Sequence, residues 1–216
     1  MTANAQLYVT LEIGNGAATG ALAVLDAALA STVIASVLIS PLAGQSLDVT
    51  AAKALIERSQ KKGVAAFVAD DANLAQMLKA DGVHISWSKD PVSAYRNARA
   101  ITGERMMIGV DAGRSRHDAM LLGEAGADYV AFGIPPHVED RATAQERQCN
   151  LVAWWSKIFE VPCVAFDVSG AEQARQLSLD GADFIAVTVS SAMTAQDVST
   201  RVKDCAEAIV PSGINA

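Results

Sequence analysis

Two rhythms of apolar and polar positions run along the chain. Short runs of Val, Ile, Leu and Ala stand nearly unbroken, and between them apolar residues recur three and four apart. Unbroken runs mark parallel strands covered on both faces, and the longer rhythm marks helices lying on them. The strands expected on this basis are Leu7 to Ile13, Val33 to Ile39, Val64 to Ala69, Val83 to Ile85, Met106 to Val110, Asp128 to Phe132, Pro162 to Phe166 and Phe184 to Val189.

Each run is followed by a helical stretch with recognisable ends. The first helix runs from about Ala17 to Ala30, after the turn Gly14-Asn15-Gly16. Asp48 caps the second, which stops at Lys61-Lys62-Gly63, cations and then glycine, as a helix C-terminus prefers. The third starts at Asp70-Asp71 and ends near Asp81-Gly82. Pro91 opens the fourth, which reaches about Ile101, and Ser115 caps the fifth, which reaches Glu124. The last three are Asn150 to Phe159, Gly170 to Leu179 and Thr194 to Ile209.

One phrase states the unit most clearly. Gly126-Ala127-Asp128-Tyr129-Val130-Ala131-Phe132-Gly133 reads as a helix stop, a buried strand and a glycine where the chain leaves the sheet. It returns at Gly181-Ala182-Asp183-Phe184-Ile185-Ala186-Val187-Thr188, and more weakly at Ala80-Asp81-Gly82-Val83-His84-Ile85. Eight such βα units predict a single-domain (β/α)8 TIM barrel over residues 1–216, with an open doubly wound sheet as the competing arrangement. Gly14 and Gly16 lack the third glycine and the acidic partner of a dinucleotide-binding fingerprint.

Composition narrows the picture. The chain has 216 residues, 51% hydrophobic but 5% aromatic, so its core is expected to be aliphatic, and its formal charge of -7 argues against nucleic-acid binding. Its apolar window from Ala17 to Ile39 contains Asp26, and no Lys or Arg precedes Lys53, so neither a signal peptide nor a membrane span is expected. Cys149, Cys163 and Cys205 are widely spaced and odd in number, which fits a reducing, cytoplasmic setting.

The strand ends Leu7-Tyr8-Val9-Thr10, Asp81-Gly82-Val83-His84-Ile85, Ile108-Gly109-Val110, Ala127 to Gly133, Pro162-Cys163-Val164-Ala165 and Ala182 to Val187 resemble, in order and spacing, those of thiamine phosphate synthase and its TenI thiazole-tautomerase relatives. The resemblance implies a TIM barrel that joins a pyrimidine diphosphate to a thiazole phosphate, with Mg²⁺ on the diphosphate. It also exposes departures. The glutamine, arginine and lysine expected after strand two are Leu38, Ser40 and Leu42. The phosphate-gripping Thr-x-Thr-Lys of loop six is Val138-Glu139-Asp140-Arg141. The Gly-Gly pair after strand seven is Asp167-Val168, and the tautomerase histidine position is Ile134, with His137 three residues on.

Candidate chemistry follows from strand ends and resemblance together. Asp70 and Asp90 offer carboxylates for Mg²⁺, or else serve as a helix cap and a surface charge. Asp111 and Asp167 end strands on the face where barrels collect catalytic groups, and two facing carboxylates can act as acid and base. Their plainer roles are a turn opener and an ion-pair partner for Arg114, Arg116 or Arg141. His137, in the longest loop, could move a proton near neutral pH, whereas His84 is expected in the core and His117 in solvent. Arg141 and the turns Ser169-Gly170 and Ser190-Ser191 could receive the phosphate of a small metabolite. Of Trp154 and Trp155, at least one should be core or a subunit contact of a homo-oligomer. Three functions stay open: the synthase reaction of thiamine biosynthesis, a non-catalytic barrel binding a metabolite or partner, and another enzyme using Asp111, Asp167 and His137.

Overall fold

A computed structural model describes residues 5–14, 16–135 and 137–209; Asn15 of the first turn and Pro136 of the sixth loop lie outside them. Eight parallel strands close into a barrel in sequence order. They are β1 (Gln6–Ile13), β2 (Ser36–Pro41), β3 (Ala65–Ala69), β4 (Gly82–Ile85), β5 (Met107–Asp111), β6 (Tyr129–Phe132), β7 (Cys163–Ala165) and β8 (Phe184–Ser190). The helices that alternate with them are α1 (Ala18–Ser31), α2 (Val49–Lys61), α3 (Ala72–Leu78), α4 (Pro91–Thr102), α5 (Arg116–Ala125), α6 (Arg141–Ile158), α7 (Ala171–Leu179) and α8 (Ala195–Ile209). The long β1–β8 register, from Gln6 opposite Phe184 to Glu12 opposite Ser190, closes the cylinder and rules out the open sheet.

The repeated aspartate phrase has a physical cause. Asp81, Asp128 and Asp183 each precede an even-numbered strand, and each carboxylate reaches back to the start of the preceding odd-numbered one. They accept the N–H groups of Ala66, Ile108 and Cys163 at 2.8, 2.7 and 2.8 Å. The backbone N–H of each aspartate returns a bond to the carbonyl of that same residue. Every such clamp satisfies an N–H that would otherwise lie at the frayed, half-buried start of a strand. Gly126 and Gly181, at φ 91° and 100°, supply the left-handed turn that stops the helix before two of the three clamps.

Two cores result. The outer one, between strands and helices, is aliphatic and includes Leu11, Ile39, Leu55, Ile56, Leu122 and Leu177. The inner one fills the barrel with side chains that alternate inward, among them Tyr8, Leu38, Phe67, Tyr129 and Val164. Five of the rings are spent here: Tyr8, Phe67, Tyr129, Phe166 and Phe184. A Cβ at Gly109 would coincide with the Tyr129 ring, and one at Gly82 with the Phe67 ring, so these two glycines make room for the aromatic filling. Tyr129 Oη shares hydrogen bonds with Tyr8 Oη at 3.0 Å and with His84 Nδ1 at 2.9 Å.

Several boundaries differ from expectation. α6 starts at Arg141, not near Asn150, because Asp140 caps it through the Thr143 N–H at 3.1 Å. Its buried face, Ala144, Gln148, Leu151, Val152 and Trp155, has helical spacing, but small Ala144 and polar Gln148 hide the rhythm. β2 starts at Ser36, leaving Val33 89% exposed in the connection, and β7 is three residues long. Trp155 is fully buried and donates to the Val161 carbonyl, while Trp154 lies under the Arg116 guanidinium, 4.8 Å from its ring centre. Among the described residues no helix is long and apolar enough to cross a membrane.

Candidate functional site

The C-terminal strand ends form the mouth of the barrel. Asp111, the last residue of β5, accepts the Gly113 N–H at 2.7 Å and the Gly133 N–H at 3.1 Å through Oδ1. Asp167, just after β7, accepts the Ile134 N–H at 2.7 Å through Oδ2. Consecutive amides at the start of loop six therefore grip both carboxylates. A Cβ on Gly133 would lie 2.5 Å from Asp111 Oδ2 and 3.1 Å from Asp167 Oδ2, so the two acids converge on a spot that glycine alone leaves open. Asp167 holds a left-handed φ of 57°, a conformation that costs most side chains about 1 kcal/mol and that aspartate tolerates better than most. Glycine is the residue expected there from the resemblance, and the backbone shape it would serve is kept.

Burial pushes the Asp111 carboxyl up to about 7. The two backbone N–H bonds pull it down, and the charges of Asp167 and Asp70 push it up. Glu12 joins this group. It is the last inward-facing residue of β1, beyond Tyr8 and Thr10, and its carboxyl is raised by burial and by the charge of Asp167. An acid inside the otherwise apolar run Leu11-Glu12-Ile13 is a signal that the sequence carried and that strand-end reasoning missed.

Other groups stand around the mouth. Gln148, buried on α6, donates to the carbonyls of Phe132 and Phe166 at 2.6 Å each, fixing the residues just before Gly133 and Asp167. Arg201 on α8 donates to the carbonyls of Thr188 and Val168 at 2.9 and 3.2 Å, linking loop seven to β8. Trp87, in the loop after β4, packs against Gly113, and its ring lies 5.2 Å from that of the exposed His137. His137 thus reaches the rim through Trp87, and no hydrogen bond joins it to Asp111 or Asp167 among the described residues. His84 is a core residue as expected, and burial pushes its imidazole down to about 3.

The remaining candidates are placed less centrally. Asp70, at φ 57°, spends its two oxygens on the Ser86 N–H and hydroxyl, both at 2.7 Å. Asp90 caps α4 through the Ser93 N–H. Among the described residues no three His, Cys, Asp or Glu side chains are grouped to hold a metal ion. Asp70 faces Ser86, and Asp90 faces the first turn of α4. A cavity of about 430 Å³ beside Asp70 is lined by Asn73, Ser86, Trp87, Ser88 and Asn97.

The phosphate candidates are occupied by their own loops. Arg141 is exposed and donates to the Ile134 carbonyl at 3.3 Å. Ser169 donates to Gln173 through both its N–H and its hydroxyl, and Gly170 heads α7 without a side-chain cap. Ser190 and Ser191 accept N–H groups from Ala192 and Gly14. The ion pairs among the described residues are Arg58–Asp26 and Arg99–Asp128, so neither Asp111 nor Asp167 is neutralised by an arginine. Among the described residues the mouth carries several acids and no cation paired with them.

Comparison with known proteins gives this scaffold its relatives. A model of the thiamine monophosphate synthase family matches residues 8–191. A thiamine-phosphate synthase of Erythrobacter litoralis is 43% identical over 148 residues, 68% of this chain and 67% of that protein. One of Rhodospirillum centenum is 40% identical over 130 residues, 59% of this chain and 60% of that protein. The matched stretch thus spans about three fifths to two thirds of these relatives' length. Among solved structures, a thiamine phosphate pyrophosphorylase from Pyrococcus furiosus superposes with a TM-score of 0.70 at 19% identity, covering 93% of this chain and 94% of the other. A tryptophan synthase structure from the same organism reaches 0.75 at 12% identity, covering 96% and 100%. These two likenesses show the barrel fold. With most of the barrel inside the family match, the chain belongs to the thiamine monophosphate synthase family.

Proposed function

We propose that the protein acts in thiamine biosynthesis by moving a proton on a small heterocyclic metabolite, with Asp111 and Asp167 as the working pair. The observation that carries this reading is the convergence of the two carboxylates on Gly133, with one of them holding its proton to about pH 7. A general acid works best when its pKa lies near the operating pH, and a neighbouring carboxylate can accept a proton as the first gives one up. Asp167 takes a proton from the bound ring, Asp111 returns one at another position, and water restores the pair. The amides of Gly113, Gly133 and Ile134 keep both groups aimed throughout. His137 and Trp87 screen the rim.

The test is solvent-deuterium exchange into the ring-carbon hydrogens of a thiazole phosphate, followed by NMR. Exchange should be catalysed by the parent protein and fall at least a hundredfold in Asp111→Asn and in Asp167→Asn. Exchange unchanged in both variants removes the assignment.

The second reading is the Mg²⁺-dependent joining of a pyrimidine diphosphate to a thiazole phosphate. The names of the relatives favour it. Asp70 and Asp90 would then hold the metal, and Arg141 with the turns at Ser169-Gly170 and Ser190-Ser191 would receive phosphate. Chromatographic detection of thiamine phosphate from the two precursors, lost on chelation, would establish it over the first.

A further inference from the structure

Asp167 holds a left-handed backbone that a residue other than glycine keeps only when its surroundings enforce it. The bonds that enforce it come from α6, α7 and α8, and they end on its neighbours in the chain. Gln148 of α6 donates from one Nε2 to the carbonyls of Phe132 and Phe166, so the residue before Asp167 is tied to the residue before Gly133. Two acceptors match the two hydrogens of one amide group. Arg201 of α8 holds the Val168 carbonyl on the other side of Asp167 at 3.2 Å. Gln173 of α7 completes the frame. Its Oε1 accepts the Ser169 N–H and hydroxyl, both at 2.8 Å, and its Nε2 donates to Gln148 Oε1 at 3.0 Å. Gln148 is 1% exposed, and both ends of its amide are bonded.

We infer that Gln148, Gln173 and Arg201 are positioning residues, a frame that aims the Asp167 carboxylate at Gly133 without taking part in the proton transfer. An ordinary negative φ at Asp167 would turn its side chain away from the Ile134 N–H, which now holds Oδ2 at 2.7 Å. The same Gln148 amide sets Phe132, and Gly133, next in the chain, donates to Asp111. One side chain thus fixes the spacing between the two halves of the pair, and small misplacements of reacting groups are costly to turnover. This role rests on the acid–base reading above and adds to it the residues that hold the pair in register.

Gln173 is half-buried, so Gln173→Leu opens no cavity in the core. Amide hydrogen exchange of the full chain, read by NMR, should speed up about tenfold or more at Ile134, whose N–H bonds Asp167. It should stay unchanged at Ile108, whose N–H is held by Asp128 at the other end of the barrel. In the deuterium-exchange assay on a thiazole phosphate, kcat should fall about tenfold or more, with KM moved less than about threefold. Adding Gln173→Leu to Asp167→Asn should cause no further loss, because the glutamine acts through that carboxylate. Arg201→Met, which frees the Val168 and Thr188 carbonyls, carries the same arms should Gln173→Leu fail to fold. Unchanged protection of Ile134 overturns the inference. Equal loosening at Ile108, which marks a stabilising role alone, overturns it too, and so does an unchanged kcat while Ile134 loosens. If neither Asp111→Asn nor Asp167→Asn slows turnover, the acid–base reading falls, and Ile134 against Ile108 still decides the frame. If both abolish turnover while Gln173→Leu changes nothing, the frame falls and the acid–base reading stands.

Discussion

Replacing Tyr129 by phenylalanine removes one oxygen from the middle of the barrel. The ring keeps its place over Gly109, so the change opens almost no cavity. What it does is strand two buried groups: the hydroxyl of Tyr8, 3.0 Å away, and Nδ1 of His84, 2.9 Å away. Tyr8 is 1% and His84 3% exposed, so water does not replace the lost partner cheaply. Each unsatisfied buried group costs about 1–3 kcal/mol, which puts the total at about 2–6 kcal/mol. Tyr8→Phe, by contrast, leaves Tyr129 bonded to His84 and should cost about 1 kcal/mol. The double variant should be less damaging than the two single effects combined, because the stranded Tyr8 hydroxyl is gone. Urea denaturation at pH 7 with an unchanged m-value measures all three. A loss below about 0.5 kcal/mol in Tyr129→Phe, or simple additivity in the double variant, would refute the account of the inner core.

Other outcomes follow from the same groups. His84 is held neutral in the fold, its pKa pushed down from 6.5 to about 3 by burial. The unfolded chain binds that proton first, so this stability is present above pH 6.5 and is lost as pH falls toward 3. The full loss is on the order of 5 kcal/mol, about 3 kcal/mol of which falls between pH 7 and 4, where comparing urea midpoints of the parent and His84→Gln isolates it. Asp111 works in the opposite direction: its pKa is raised from 3.8 to about 7, so stability is full below pH 4 and falls as pH rises through 7. Asp111→Asn should therefore match the parent near pH 4 and exceed it by about 4 kcal/mol at pH 8 in thermal or urea melts, while losing exchange activity. Asp183→Ala strands the buried Cys163 N–H and should cost about 1–3 kcal/mol in the same melts.

The barrel was legible because its signals are local and repeated. Each strand is an apolar run, and the Asp81, Asp128 and Asp183 phrases mark a hydrogen-bonded clamp rather than a chance similarity. The start of α6 was not legible, since Gln148 occupies a core position to hold two strand-end carbonyls, and a polar residue breaks the apolar rhythm. At the mouth, position along the strands singled out Asp111 and Asp167 correctly as neighbours. It could not show that loop-six amides aim them at one spot, because that contact joins residues 22 and 33 positions apart. Asp90, offered as a metal ligand by its position, caps α4 through the Ser93 N–H. The sequence displays an aspartate at a helix start, and what decides its role is which N–H group it faces.

The central claim is that Asp111 holds its proton to near neutral pH beside a second carboxylate at the barrel mouth. Carbon-13 NMR of selectively labelled aspartate, with Asp111→Asn identifying the resonance, measures this directly. The account predicts a carboxyl titrating near 7 that shifts downward in Asp167→Asn, where the neighbouring charge is gone. An Asp111 resonance titrating near 4, unmoved by Asp167→Asn, would contradict it.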